Sequence, residues 1–170
     1  FSYTKVISDD IVEVGAATLD RKLANFAKDN NLANFEFLSC IPGSIGGAVI
    51  MNSGCYENDI SKILLSIQVI DIKDCIEKEI KKEDIKFLYR GTSLSQDLII
   101  ISAKFKGLIS NKGEIEKKQY DFINGVDQIF VLKLNPLIAI KRRPEDNKEE
   151  LLIRSGQVWN KDWKNAFTDE

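Results

Sequence analysis

Residues 35–56 read Phe35-Glu36-Phe37-Leu38-Ser39-Cys40-Ile41-Pro42-Gly43-Ser44-Ile45-Gly46-Gly47-Ala48-Val49-Ile50-Met51-Asn52-Ser53-Gly54-Cys55-Tyr56. Twenty residues without a charge lie between Glu36 and Glu57, a length that could span a bilayer. Pro42, the glycines, and the polar Ser39, Ser44, Asn52 and Ser53 argue against a span. The composition instead predicts a buried glycine-rich turn leading into a short helix. Gly43, Gly46 and Gly47 permit positive φ and close approach by another group. A helix starting near Gly46 would aim free N–H groups at that place, which favours phosphate. A tight turn packed under a sheet explains the glycines equally well. Ala48-Val49 stand where a P-loop needs Lys-Ser/Thr, and the spacing is not a dinucleotide-binding GxGxxG.

Working outward, residues 11–17 read as a strand ending on Gly15. Thr18 has the chemistry of an N-cap. Leu19, Leu23, Phe26 and Ala27 then repeat at helical spacing, with Asp20, Arg21, Lys22 and Lys28 off the stripe. Asn30-Asn31 is the expected stop. Residues 63–72 and 76–80 read as a hairpin broken at Lys73-Asp74. Asp97 to Phe105 reads as a further strand with Ile99, Ile101, Ala103 and Phe105 on one face. This predicts a mixed α+β fold up to residue 107. Beyond it, residues 113–124 are helix-like, and an apolar run over 129–140 is broken at Pro136. From Lys141 onward seven basic and seven acidic residues fall in thirty. Pro144 suits a helix start, Leu151 to Ile153 give it a small apolar side, and Trp159 and Trp163 stand one turn apart.

The chain has 170 residues, a net charge of −2 and no histidine. The length suits one domain or two small ones. Near-neutral charge argues against nucleic acid held by bulk positive potential. Without histidine, Ser-His-Asp and Cys-His nucleophilic sites are excluded within this chain, as are His-containing zinc sites. Cys40, Cys55 and Cys75 form neither a disulfide framework nor a CxxC clip, and read as reduced cytosolic thiols. No charged and apolar leader is visible at Phe1.

The string as a whole resembles the UDP-N-acetylenolpyruvoylglucosamine reductases, flavoenzymes of peptidoglycan precursor synthesis. The resemblance rests on Phe37-Leu38, Ile41-Pro42-Gly43, Gly46-Gly47, Asn52, Gly54 and Tyr56. Val14-Gly15-Ala16, Leu23-Ala24, Phe26-Ala27 and the Phe87-x-Tyr89-Arg90 sequence extend it over residues 1–107. It implies a FAD-binding subdomain of the vanillyl-alcohol-oxidase (PCMH) type over residues 1–107. Residues 108–170 would be a partly helical segment, the remnant or replacement of a substrate-binding domain. It further implies FAD and NADPH as cofactors, a UDP-sugar substrate, and a cytoplasmic protein without nucleic-acid or membrane partners. Gly43, Ser44, Ile45, Gly46 and Gly47, with Asn52 and Gly54, would then lie along the flavin. Tyr89 and Arg90 would bind substrate, with Arg90 as the catalytic residue that polarises the substrate carboxylate. A guanidinium fork suits that task; on residue type alone, Arg90 reads as a surface ion-pairing arginine.

Two parts of that family pattern are missing from the chain. A Gly-x-Gly-Ser-Asn phosphate loop is not found before residues 1–17, which read as the end of the first flavin subdomain. The proton-donating serine of a Gly-Ser-x-Phe-Lys-Asn-Pro stretch is not found near Asn135-Pro136 or Ser155-Gly156. The expectation is therefore a gene fragment or frame-disrupted chain with weak or absent flavin affinity and no turnover alone. The alternatives are a non-catalytic binding module that keeps half a flavin site, and an oxidoreductase of the same fold acting on another substrate.

Overall fold

The computed structural model describes the backbone of residues 1–133 and the side chains of residues 1–123. The chain opens with a hairpin of β1 (Thr4–Ser8) and β2 (Ile11–Gly15), followed by helix α1 (Asp20–Asp29) and the short β3 (Leu32–Ala33). A 3-10 turn (Glu36–Cys40) leads to helix α2 (Ile45–Ile50), the small hairpin of β4 (Gly54–Cys55) and β5 (Asn58–Asp59), and helix α3 (Ile60–Ile63). Then come β6 (Leu64–Asp71) and β7 (Ile76–Lys81), and the hairpin of β8 (Phe87–Leu88) and β9 (Gly91–Thr92). The long β10 (Leu98–Lys106), the short β11 (Leu108–Ile109) and helix α4 (Lys112–Lys133) complete the described part.

Five strands form an antiparallel sheet in the order β1-β2-β10-β6-β7. This is the expected α+β arrangement, with the predicted 63–80 hairpin at one edge. The edge strand β7 keeps Ile76 and most of its lysines and glutamates exposed, charges that blunt pairing with another chain. Alternation in β2 buries Val12 and Val14 completely, while Glu13 turns out to accept a 2.5 Å hydrogen bond from Tyr3 Oη. Val12, Val14, Ile67, Val69, Ala103 and Phe105 form the sheet's side of the core, against Leu23, Ala27, Leu38, Ile45 and Val49 from the helical layer.

β10 departs from the expected single face. Its pairing with β6 runs Ile100 to Val69 and then Ser102 to Gln68, so Ile101 is an extra residue, a β-bulge. The bulge reverses the alternation. Leu98 and Ile100 pack toward the core before it, Ala103 and Phe105 after it, and Ile99 is left outside at 55% exposure.

α1 also differs at its start. Thr18 does not cap it: the Thr18 hydroxyl donates to the Tyr3 carbonyl and accepts from the Tyr3 N–H, both at 3.0 Å. Leu19 is the residue before the helix and stays exposed. Leu23, Ala24 and Ala27 are fully buried, and Asn30 ends the helix as expected. α4 begins where the helix-like pattern starts and continues to Lys133. Its first turns belong to the compact unit Phe1–Ile123. Ile115 is buried, Lys112 pairs with Asp29 at 2.7 Å, and Lys118 reaches the buried Glu36 at 3.6 Å. The Pro136 break, the Pro144 helix start, the Leu151–Ile153 side and the Trp159–Trp163 pair lie outside the described residues.

Candidate functional site

The glycine-rich segment wraps the start of α1. Asp20 N donates to Gly43 O at 3.1 Å, Ile45 N to Thr18 O at 2.9 Å, and Gly46 N to Ala16 O at 2.9 Å. The segment is thus zipped to the connection between β2 and α1. The N–H groups of Ile45 and Gly46, expected to be free at the head of α2, already have carbonyl partners. A β-carbon on Gly46 would stand 3.2 Å from the Ala16 β-carbon, so this glycine serves close backbone packing. None of Gly43, Gly46 and Gly47 uses a positive φ. The turn itself is not buried: Pro42, Gly43 and Gly47 are exposed, while Ile45, Ala48 and Val49 anchor it in the core.

Under this segment lies a group that periodicity alone did not single out. Asp20, the first residue of α1, is 1% exposed, and neither carboxyl oxygen has a hydrogen-bond partner. One of them, Oδ2, stands 3.0 Å from where a Gly43 β-carbon would be. Burial pushes its pKa up from 3.8 to about 7, because desolvation penalises the charged form.

The second half of the string builds the wall of a cleft of about 470 Å³. Asn52, Gly54 and Tyr56 line it together with Tyr89 and Arg90, although more than thirty residues separate the two groups. Residues 43–47 are not part of this wall. Four of the cleft's non-glycine residues sit in the left-handed region: Asn52 (φ 41°), Tyr56 (φ 50°), Glu57 (φ 62°) and Arg90 (φ 61°). Such backbone persists where surrounding structure over-determines it.

The polar side chains show what over-determines it. Buried Asn52 donates from Nδ2 to Leu88 O at 3.2 Å and accepts from Ser61 N at 3.0 Å through Oδ1. It thereby bolts the β8–β9 hairpin and α3 to the end of α2. Thr92 Oγ1 adds a bond to Ile50 O at 3.2 Å. Gly54 is sterically obligatory, since a β-carbon there would lie 2.2 Å from Asn58 O. The Tyr56 ring stacks on Phe122 of α4, centroids 4.8 Å apart and planes 15° from parallel, and its hydroxyl donates to Phe122 O at 3.3 Å.

Tyr89 and Arg90 form the tip of the β8–β9 hairpin. Tyr89 is 91% exposed, and the Arg90 guanidinium lies 5.1 Å from its ring centroid, a cation–π contact. Glu57, Asp59, Ser61 and Lys62 also face the cleft and were not singled out in the sequence. Ser61 Oγ donates to Asp59 Oδ1 at 2.5 Å, and Lys62 Nζ donates to the Glu57 carbonyl. The cleft therefore offers two cations, Lys62 and Arg90, on an otherwise acidic and amide-lined wall. Among the described residues no group of acidic or thiol side chains could hold a metal ion, and no helix is long and apolar enough to cross a membrane.

A family model for an FAD binding domain matches residues 3–77. The chain is 38% identical over 150 residues to the UDP-N-acetylenolpyruvoylglucosamine reductase of Pelagibacter ubique, covering 88% of this chain and 49% of that protein. It is 40% identical over 116 residues to the enzyme of that name from Rickettsia felis, covering 68% and 38%. The crystal structure of the Thermus caldophilus UDP-N-acetylenolpyruvylglucosamine reductase superposes with a TM-score of 0.60 at 27% identity, covering 83% of this chain and 52% of that one. The chain spans about half the length of the curated relatives it matches.

Proposed function

Because the chain is homologous to the UDP-N-acetylenolpyruvoylglucosamine reductases over about half their length, we propose that it is the FAD-binding part of such a reductase. The activity would be NADPH-driven reduction of UDP-N-acetylglucosamine enolpyruvate to UDP-N-acetylmuramate, a cytoplasmic step of peptidoglycan precursor synthesis. Residues 1–107 would form the flavin-binding part, and residues 108–170 would stand where a substrate domain belongs. The observation that carries the reading is the cleft, where Asn52, Gly54 and Tyr56 meet Tyr89 and Arg90.

The residues fit a flavin. Gly43 and Gly47 turn bare backbone outward, and the two Asp20 oxygens beside Gly43 lack a donor. Gly43, Ser44, Ile45, Gly46 and Gly47 would hold the cofactor, with Asn52 and Gly54 shaping its other side. Bound FAD supplies hydride chemistry that no protein side chain can. The chain's own residues bind and orient. Arg90 presents a permanently charged fork for the substrate carboxylate at a hairpin tip fixed by Asn52 and Thr92. Lys62 adds a second cation to the same wall. The proton-donating serine that the resemblance implies is not found in the sequence, so the chain alone is not expected to turn over.

The test is FAD titration of the full chain, followed by flavin fluorescence quenching. The expected result is weak, saturable binding that Gly47→Glu abolishes by placing a negative charge beside the cofactor. Quenching that stays linear in FAD for both proteins would overturn the reading.

A further inference from the structure

The glycine turn has an acid beneath it. Asp20, at the head of α1, is 1% exposed, and neither carboxyl oxygen has a hydrogen-bond partner. Its Oδ2 stands 3.0 Å from where a β-carbon on Gly43 would be, and its N–H donates to Gly43 O at 3.1 Å. Gly43 itself is exposed. A residue without a side chain is therefore what lies between a ligand on the turn and a carboxyl group in the core. An ionised carboxyl here has no donor to spread its charge, and its field acts through low-dielectric protein.

We propose that Asp20 is a positioning residue for an anionic cofactor: the turn at Gly43 takes a diphosphate while the Asp20 carboxyl is protonated, and loses it when the carboxyl ionises. The inference rests on the flavin reading of this turn and adds the charge state that binding requires. The diphosphate of FAD keeps its negative charge across the neutral pH range, so ionised Asp20 sets like charges on the two sides of Gly43. Binding and protonation are then reciprocal: each favours the other by the same factor.

Burial, rather than a charged neighbour, sets the state of Asp20, and it raises the pKa to about 7. Pro42 to Gly46 and Ala16 to Leu19, which meet at the head of α1, carry no charged side chain. β1 brings Tyr3, whose hydroxyl donates to Glu13. The 3-10 turn brings Glu36, paired with Lys118, and the half-buried thiol of Cys40. On α1 itself Arg21 and Lys22 are exposed, and the pairs of Lys28 with Glu116 and Asp29 with Lys112 lie at the helix's other end. The chain has no histidine, the side chain whose ordinary pKa falls in the same range.

The experiment titrates the full chain with FAD at pH 6, 7 and 8, followed by flavin fluorescence, with circular dichroism at each pH. The protonated fraction of Asp20 falls from about nine-tenths at pH 6 to about one-tenth at pH 8. The expected result is a dissociation constant that rises about fivefold to tenfold over that span, with an unchanged circular-dichroism spectrum. Asp20→Asn, neutral throughout, should bind FAD with the same affinity at pH 6 and pH 8. A flat wild-type series would overturn the proposal and leave the flavin reading standing, and this result needs no variant to fold. A pH dependence kept by Asp20→Asn, or a circular-dichroism loss that tracks the lost affinity, would overturn it as well. No FAD binding at any pH would sink the flavin reading and this inference together.

Discussion

Asp20 lies directly beneath Gly43, its Oδ2 3.0 Å from the position a β-carbon on Gly43 would take, with no donor for either oxygen. A glycine at this place is what leaves room for a buried acid at the head of α1.

The first prediction follows from that pair. Burial raises the Asp20 pKa from 3.8 to about 7, so the folded chain holds a proton that the unfolded chain releases. Stability therefore falls as pH rises from about 4 to about 7 and levels off above it. At about 1.4 kcal/mol per unit, the loss is at most about 4 kcal/mol. Asp20→Asn keeps the shape and removes the charge. It should stabilise the chain by about 1–4 kcal/mol at pH 8 and leave it unchanged near pH 4. Denaturant melts at the two pH values decide it; an equal effect at both would remove Asp20 from the pH dependence.

A second prediction concerns Asn52, whose amide serves Leu88 O and Ser61 N at once. Asn52→Ala leaves both backbone groups without their side-chain partner and puts alanine at φ 41°. The loss should be about 1–3 kcal/mol in urea unfolding. Asn52→Asp should be no better at neutral pH, since a carboxylate cannot donate to Leu88 O. Wild-type stability in either variant would show that the hairpin is held otherwise.

The Tyr56–Phe122 stack supports a third. A double-mutant cycle with Tyr56→Ala and Phe122→Ala should give a coupling of about 0.5–1.5 kcal/mol. A coupling of zero would mean that α4 does not rest on the cleft wall in solution.

Arg90 gives a fourth, and it separates binding from folding. The side chain is exposed and touches Tyr89, so Arg90→Ala should change stability by less than about 0.5 kcal/mol. If the site takes the enolpyruvyl carboxylate, the same change should weaken that ligand by about tenfold to a hundredfold in calorimetry, the loss of one or two charge-assisted hydrogen bonds. Undiminished affinity would free Arg90 from the substrate role and leave the carboxylate to Lys62 or to residues elsewhere.

The parts of this molecule that sequence made legible are those governed by local rules. Val12 and Val14 alternate, Leu23 and Ala27 repeat at helical spacing, and Asn30 stops α1 where expected. The motif string carried Asn52, Gly54 and Tyr56 to the cleft, and its resemblance supplied Tyr89 and Arg90. The misses share a long-range cause. Thr18 has the chemistry of a cap, but Tyr3, fifteen residues earlier, takes both of its hydrogen bonds. Asp20 looked like a solvated charge because the residue that covers it, Gly43, is twenty-three positions away. Ile45 and Gly46 were expected to offer free N–H groups, and the carbonyls of Thr18 and Ala16 reach them first.

The extra residue at Ile101 gives β10 two phases. Before it, even-numbered side chains meet the core; after it, odd-numbered ones do. A mutational scan along this strand should show tolerance to charge at Ile99 and Lys104, and intolerance at Ile100, Ala103 and Phe105. The pattern does not fit one alternating comb. In a related chain one residue shorter at this point, ungapped pairing of the two sequences would match core positions to surface ones on one side of the deletion while remaining correct on the other. Length at residue 101, more than residue type, decides which face of the sheet a side chain occupies.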